Sequence, residues 1–156
     1  MTDASFTLKN TSYHWDFPKP FLLPLTVCSA DIDGLQHTNN AVYVQWCQQA
    51  AWAHSAALGL REVDYQTLDR AMAIRHSEYD YIFASSLGEE LVLATWLTKS
   101  QGLSMERCFQ LARKRDGETI LRGKWQLVCI EISSGKPKRQ PPIFVEVYGP
   151  AIVTAD

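Results

Sequence analysis

The chain has 156 residues, 46% hydrophobic and 21% charged, which suits one ordinary globular domain with a sizeable core. A formal net charge of −2 argues against a nucleic-acid binder, which needs a basic excess on one face. No apolar run approaches the ~18 residues of a membrane span, and the first residues lack a signal-peptide pattern, so a cytoplasmic protein without a membrane partner is expected.

Residues 1–20 read as an N-terminal arm, with Pro18 and Pro20 near its end. Its aromatic residues, Phe6, Tyr13, Trp15 and Phe17, are expected to pack on the domain rather than float. Residues 21–30 are β-rich, with Pro24 near the start, and predict a first strand. A polar loop follows over residues 31–40, in which Asn39 or Asn40 is placed to cap a helix.

Residues 41–58 are apolar nearly all round, apart from a narrow stripe made by Gln45, Gln48, Gln49 and Ser55. A helix of this composition must be wrapped rather than laid on a surface. Gly59 supplies its C-terminal stop. Residues 61–70 connect, with room for a short helical turn.

Four strands are then predicted, over residues 72–83, 90–99, 105–114 and 119–132. The breaks between them are Ser85-Ser86-Leu87-Gly88, Gln101-Gly102 and Arg115-Asp116-Gly117-Glu118. Consecutive strands with short turns imply an antiparallel meander. The fold class is therefore α+β, with about five strands curved around one long helix. The domain is expected over residues 21–142, with 143–156 as a C-terminal tail. One helix cannot cover such a sheet and both its edges, so a homodimer or a dimer of dimers is expected.

The four cysteines, Cys28, Cys47, Cys108 and Cys129, are scattered without a C-x-x-C pair. They predict core thiols, with neither a metal site nor a disulfide framework. The Lys and Arg residues of the later strands, Lys99, Arg107, Arg113, Lys114, Arg115, Arg122 and Lys124, could meet a diphosphate group. Charges of this kind are expected on solvated faces.

The densest polar stretch is Asp31-Ile32-Asp33-Gly34-Leu35-Gln36-His37-Thr38-Asn39-Asn40-Ala41-Val42-Tyr43. It places two carboxylates, an imidazole and two carboxamides at the mouth of a buried helix. Polar groups there are costly unless hydrogen-bonded or used. A helix N-terminus offers unpaired N–H groups and positive partial charge, which suit a developing oxyanion. Acyl chemistry follows from that pairing. Asp31 reads as a loop-turn carboxylate, while Asp33 reads as functional. Gln48, on the polar stripe, faces either substrate or solvent.

This stretch resembles the pattern D-x-D-x-x-G-H-V-N-N-x-x-Y of the hotdog-fold acyl-CoA thioesterases, the group that includes 4-hydroxybenzoyl-CoA thioesterase. It also looks similar to the plant acyl-carrier-protein thioesterases, where a glutamine precedes the histidine. The resemblance spans residues 21–142, including Arg75-His76, Leu87-Gly88-Glu89-Glu90 and Ser134-Gly135-Lys136-Pro137. It implies an acyl thioester substrate, with coenzyme A present only as part of that substrate and no separate cofactor. By the same resemblance, Asp33 is the nucleophile or general base and the Asn40 amide polarises the carbonyl. His37 is a further catalytic-pocket group, and Asn39, Tyr43 and Gln48 are expected to contact substrate. Gln36 and Thr38 depart from the commoner Gly and Val, and Gln48 and Ala51 stand where many relatives carry Glu and Arg.

Two other functions use the same fold: an enoyl-CoA hydratase or dehydratase, and a non-catalytic acyl-binding module. The first wants a helix carboxylate that residues 41–58 lack. Asp33 and His37 argue against the second.

Overall fold

A computed structural model describes residues 12–155. Its first strand, β1 (Phe21–Thr26), is shorter than expected, because residues Ser29–Asp31 turn as a 3-10 segment. Asp31 holds that turn by accepting from the Cys28 N–H at 2.9 Å. Cys28 is exposed there, a correction to its expected place in the core; Cys47, Cys108 and Cys129 are buried.

Helix α1 (Asn40–Leu58) follows, with Asn39 as its N-cap and Gly59 in a left-handed conformation at its end. Only one face of α1 is buried, by Tyr43, Trp46, Cys47, Ala50, His54 and Ser55. Within a single chain the helix is thus packed on one side, not wrapped. Helix α2 (Glu62–Leu68) occupies the connecting segment. Strands β2 (Arg70–Tyr81), β3 (Glu90–Gln101), β4 (Ser104–Arg113) and β5 (Thr119–Glu131) complete one antiparallel sheet.

The strand order is β1-β3-β4-β5-β2. A meander therefore joins β3, β4 and β5 only, which corrects the four-strand meander. Residues 82–89 are not a hairpin turn but a crossover along the end of the sheet. Ile82 and Phe83 N–H groups donate to the Ile120 carbonyl, and the Val27 N–H donates to Glu89. Those bonds tie the segment to β5 at one end and to the end of β1 at the other, so β2 leaves β3 and pairs with β5.

Alternation along the central strands sends Leu91, Leu93, Phe109, Leu111, Leu121 and Leu127 toward α1. The opposite face is covered as well. Trp15 and Phe17 pack on Ala94, Trp96 and Cys108, and the Trp96 indole N–H donates to the Pro18 carbonyl at 3.0 Å. The arm thus packs as expected, with Phe6 outside the described residues. Being buried on both faces, β3 and β4 lack the polar alternation of an exposed sheet.

Helix α3 (Pro142–Tyr148) lies in the segment expected to be a tail, and its Phe144 and Tyr148 are part of the main core. Among the described residues no helix is long and apolar enough to cross a membrane.

Candidate active site

The polar stretch folds as a tight hairpin. Ile32 bridges Thr38, the Asp33 N–H donates to the His37 carbonyl at 2.9 Å, and the Gln36 N–H donates to the Asp33 carbonyl at 3.1 Å. Gln36 closes the turn at φ 66°, a left-handed conformation that favours glycine, the residue of the family pattern. Asp33 Oδ1 accepts from the Leu35 N–H at 2.9 Å. The side chain is thereby oriented by its own loop, and Oδ2 has no hydrogen-bond partner among the described residues.

The hairpin delivers the chain to α1. Asn39 donates its N–H to the Asp31 carbonyl at 2.8 Å and accepts from the Ala41 N–H at 3.0 Å. With Asn39 as cap, Asn40 is the first helical residue, and its N–H has no intrahelical acceptor. The helix terminus therefore offers that group, with its partial positive charge, to whatever lies in front.

Beneath the hairpin, Ser85 from the crossover joins the loop to the helix. Its carbonyl accepts from the Thr38 N–H at 2.9 Å, and its hydroxyl is hydrogen-bonded to the hydroxyls of Thr38 and Tyr43, each at 2.7 Å. Ser85 is fully buried, so these bonds exchange with no water. From sequence Ser85 reads only as a turn residue, and this role is missed. Nothing local marks it, because its partners lie more than 40 residues away.

Asp33, His37, Asn39, Asn40 and Tyr43 line one cleft of about 420 Å³ with Tyr81, Ile82 and Phe83. Those last three are large, exposed apolar side chains at the end of β2 and the start of the crossover. A carboxylate, a free helix-terminal amide and apolar walls in one cleft can position a carbonyl, stabilise negative charge on its oxygen and direct an attack on its carbon.

Gln48 is not in that cleft. It lines a second cavity, of about 290 Å³, under the later turns of α1, together with Trp52, Met72, Met105, Arg107 and Trp125. Arg107, expected on a solvated face, is instead only 4% exposed. Its register, between Met105 and Phe109 on the inward face of β4, is the signal that could have found it. Among the described residues no group of three or more His, Cys, Asp and Glu side chains is arranged to hold a metal ion.

Residues 27–147 match the family model described as the thioesterase-like superfamily. Among solved structures, the chain is similar to a DHNA-CoA thioesterase from Staphylococcus aureus, at 19% identity and a TM-score of 0.77, over 84% of this chain and 89% of that one. The protein SAV2348 from the same organism, solved in complex with CoA, is similar at 16% identity and a TM-score of 0.79, over 93% and 92% of the two chains. A 12:0-ACP thioesterase from Umbellularia californica is similar at 16% identity and a TM-score of 0.77, over 85% of this chain and 50% of that one. No curated protein matches the chain. At these identities the structural likeness is one of fold: a five-stranded antiparallel sheet packed by one long helix, the hotdog fold.

Proposed function

The chain belongs to the thioesterase-like superfamily, and we propose that it hydrolyses an acyl thioester to the free acid and a thiol. One observation carries this reading: Asp33 and Asn40, the first residue of α1, line the same cleft. The Asn40 N–H polarises the thioester carbonyl. Asp33 either takes a proton from water as it attacks that carbon, or attacks the carbon itself and forms a mixed anhydride that water then opens. In both routes the C–S bond breaks, and the thiolate leaves and is protonated. His37 and the Asn39 and Tyr43 side chains position the substrate.

The acyl carrier is coenzyme A or an acyl carrier protein, and it enters as part of the substrate, with no further cofactor. The similar protein with bound CoA and the similar 12:0-ACP thioesterase support the two carriers respectively.

The active unit is a homodimer, or a dimer of dimers, formed through β2. Of the two sheet edges, β1 is short and contains Pro24, which blunts it against pairing. Strand β2 spans 12 residues, with Ile74 and Tyr81 exposed. Pairing two β2 edges antiparallel sets the end of one strand, at the Asp33 cleft, beside the start of its partner.

The test is thiol release from a panel of acyl-CoAs by the purified protein, with Asp33→Asn beside it. The amide can still accept from Leu35 N–H, so the hairpin is kept while the base is removed. Turnover in the variant should fall by about 10²-fold or more. Full activity in Asp33→Asn would refute the role of Asp33. Acyl-CoA binding without thiol release would favour an acyl-binding module, and hydration of an enoyl-CoA would favour a hydratase.

A further inference from the structure

The second cavity holds a cation that the protein itself does not neutralise. Arg107 lies on the inward face of β4, and its Nη1 donates to His54 Nδ1 at 3.0 Å and to Thr95 Oγ1 at 3.1 Å. Both acceptors are neutral groups. None of the ion pairs among the described residues includes Arg107. Burial pulls its guanidinium down to about 10, which still leaves it protonated at neutral pH.

The remaining walls suit a carbon chain. Met72, Ile74, Met105 and Leu127 are aliphatic, and Trp52 and Trp125 add aromatic surface. The hydroxyl groups of Tyr65 and Tyr148, hydrogen-bonded to each other, stand in the same wall as Arg107. A buried guanidinium is costly unless an anion meets it, and its planar fork matches a carboxylate through two parallel hydrogen bonds. A coenzyme diphosphate would bring more charge than this single cation could match.

We propose that this cavity receives the acyl group of the substrate and that Arg107 selects acyl groups ending in a carboxylate. The proposal rests on the thioesterase reading and deepens it. Along α1, the cavity begins about 12 Å from Asn40, at ~1.5 Å per residue to Gln48. Its floor includes Met72 and Ile74 at the start of β2, whereas the Asp33 cleft includes Tyr81 at the end of β2. Antiparallel pairing of two β2 edges brings these ends together. The acyl chain activated at one protomer's Asp33 then enters the partner's cavity.

The experiment compares matched acyl-CoAs: glutaryl with pentanoyl, adipoyl with hexanoyl, and suberoyl with octanoyl. For at least one pair, wild-type kcat/KM should favour the carboxylate by about tenfold or more. In Arg107→Gln that ratio should fall to about one, chiefly through KM, while Arg107→Lys should keep part of the preference. Equal rates within every pair in the wild type would overturn the proposal without touching the thioesterase reading. So would an Arg107→Gln variant that slows both members of a pair alike.

If the wild type cleaves neither acyl-CoAs nor the corresponding acyl-carrier-protein thioesters, the hydrolase reading fails, and calorimetry with two uncleavable thioethers decides the proposal separately. S-(5-carboxypentyl)-CoA should bind more tightly than S-hexyl-CoA, and Arg107→Gln should abolish that difference. Equal binding of the two by the wild type would sink it.

Discussion

The Nδ1 atom of His54, on α1, lies 3.0 Å from Nη1 of Arg107, on β4, and accepts its hydrogen bond. The bond exists only while that nitrogen is unprotonated, so it assigns the other ring nitrogen as the N–H. Phe21 stacks on the same imidazole, with ring centroids 5.0 Å apart. The helix, the sheet edge and the central strand meet at one neutral histidine.

That histidine makes stability depend on pH in a definite window. Burial first, and the Arg107 charge second, pull His54 from its ordinary 6.5 down to about 4. Between those values the unfolded chain binds the proton and the folded chain does not, so stability falls as pH falls. It is fully present above about pH 6.5 and lost progressively toward about pH 4. Between pH 7.5 and pH 5 the loss should be about 2 kcal/mol, since each tenfold difference in proton affinity between the two states is worth about 1.4 kcal/mol. Urea unfolding at the two pH values measures it, and His54→Gln should flatten the slope. An unchanged slope in that variant would contradict the assignment.

Ser85 is expected to be sensitive to substitution although it lies outside the cleft. Ser85→Ala leaves the Thr38 and Tyr43 hydroxyls without their shared partner in a buried site. The cost should be about 1–3 kcal/mol. Tyr43→Phe removes one outer hydroxyl and should cost less, about 0.5–1.5 kcal/mol. Denaturant midpoints for the two single variants and the double variant measure the coupling, and the double should cost less than the sum.

Gln36 is strained where it stands. Its φ of 66° carries a Cβ penalty that glycine avoids. Gln36→Gly should raise stability, by at most about 1 kcal/mol once the greater freedom of the unfolded chain is counted. Thermal melting tests this; a clear loss of stability would show that the Gln36 side chain contributes more than its backbone costs.

Gly123 permits a close approach. A Cβ there would sit 3.0 Å from Tyr79 Cδ1 and 3.2 Å from Cε1. The ring cannot simply swing away, because the Tyr79 hydroxyl accepts from the Trp125 indole N–H at 2.7 Å. Gly123→Ala should therefore destabilise by about 1–3 kcal/mol through overpacking. Trp125 fluorescence should change alongside the unfolding midpoint; a variant with wild-type midpoint and emission would contradict the crowding.

Much of the candidate site is legible in the chain alone. The polar loop of residues 31–40, a cap at Asn39 or Asn40 and the Gly59 stop depend on residues within a few positions of one another. The expected gathering of Asp33, His37, Asn39, Asn40 and Tyr43 follows from the same short range, since all precede or open one helix. Gln48 goes elsewhere for a comparable reason: two turns further along α1, a residue faces a different part of the sheet.

By itself the sequence determined the strands, the long helix and the polar loop at its start. Periodicity, capping and turn chemistry act over a few residues and need no distant partner. Only the tertiary structure decided that β2 lies beside β5, that Ser85 sits under the hairpin, and that Arg107 is buried. Each of those depends on what desolvates or pairs a group across the chain, as with His54 and Arg107, 53 positions apart. A strand's neighbour and a cation's surroundings are set by packing between such remote segments.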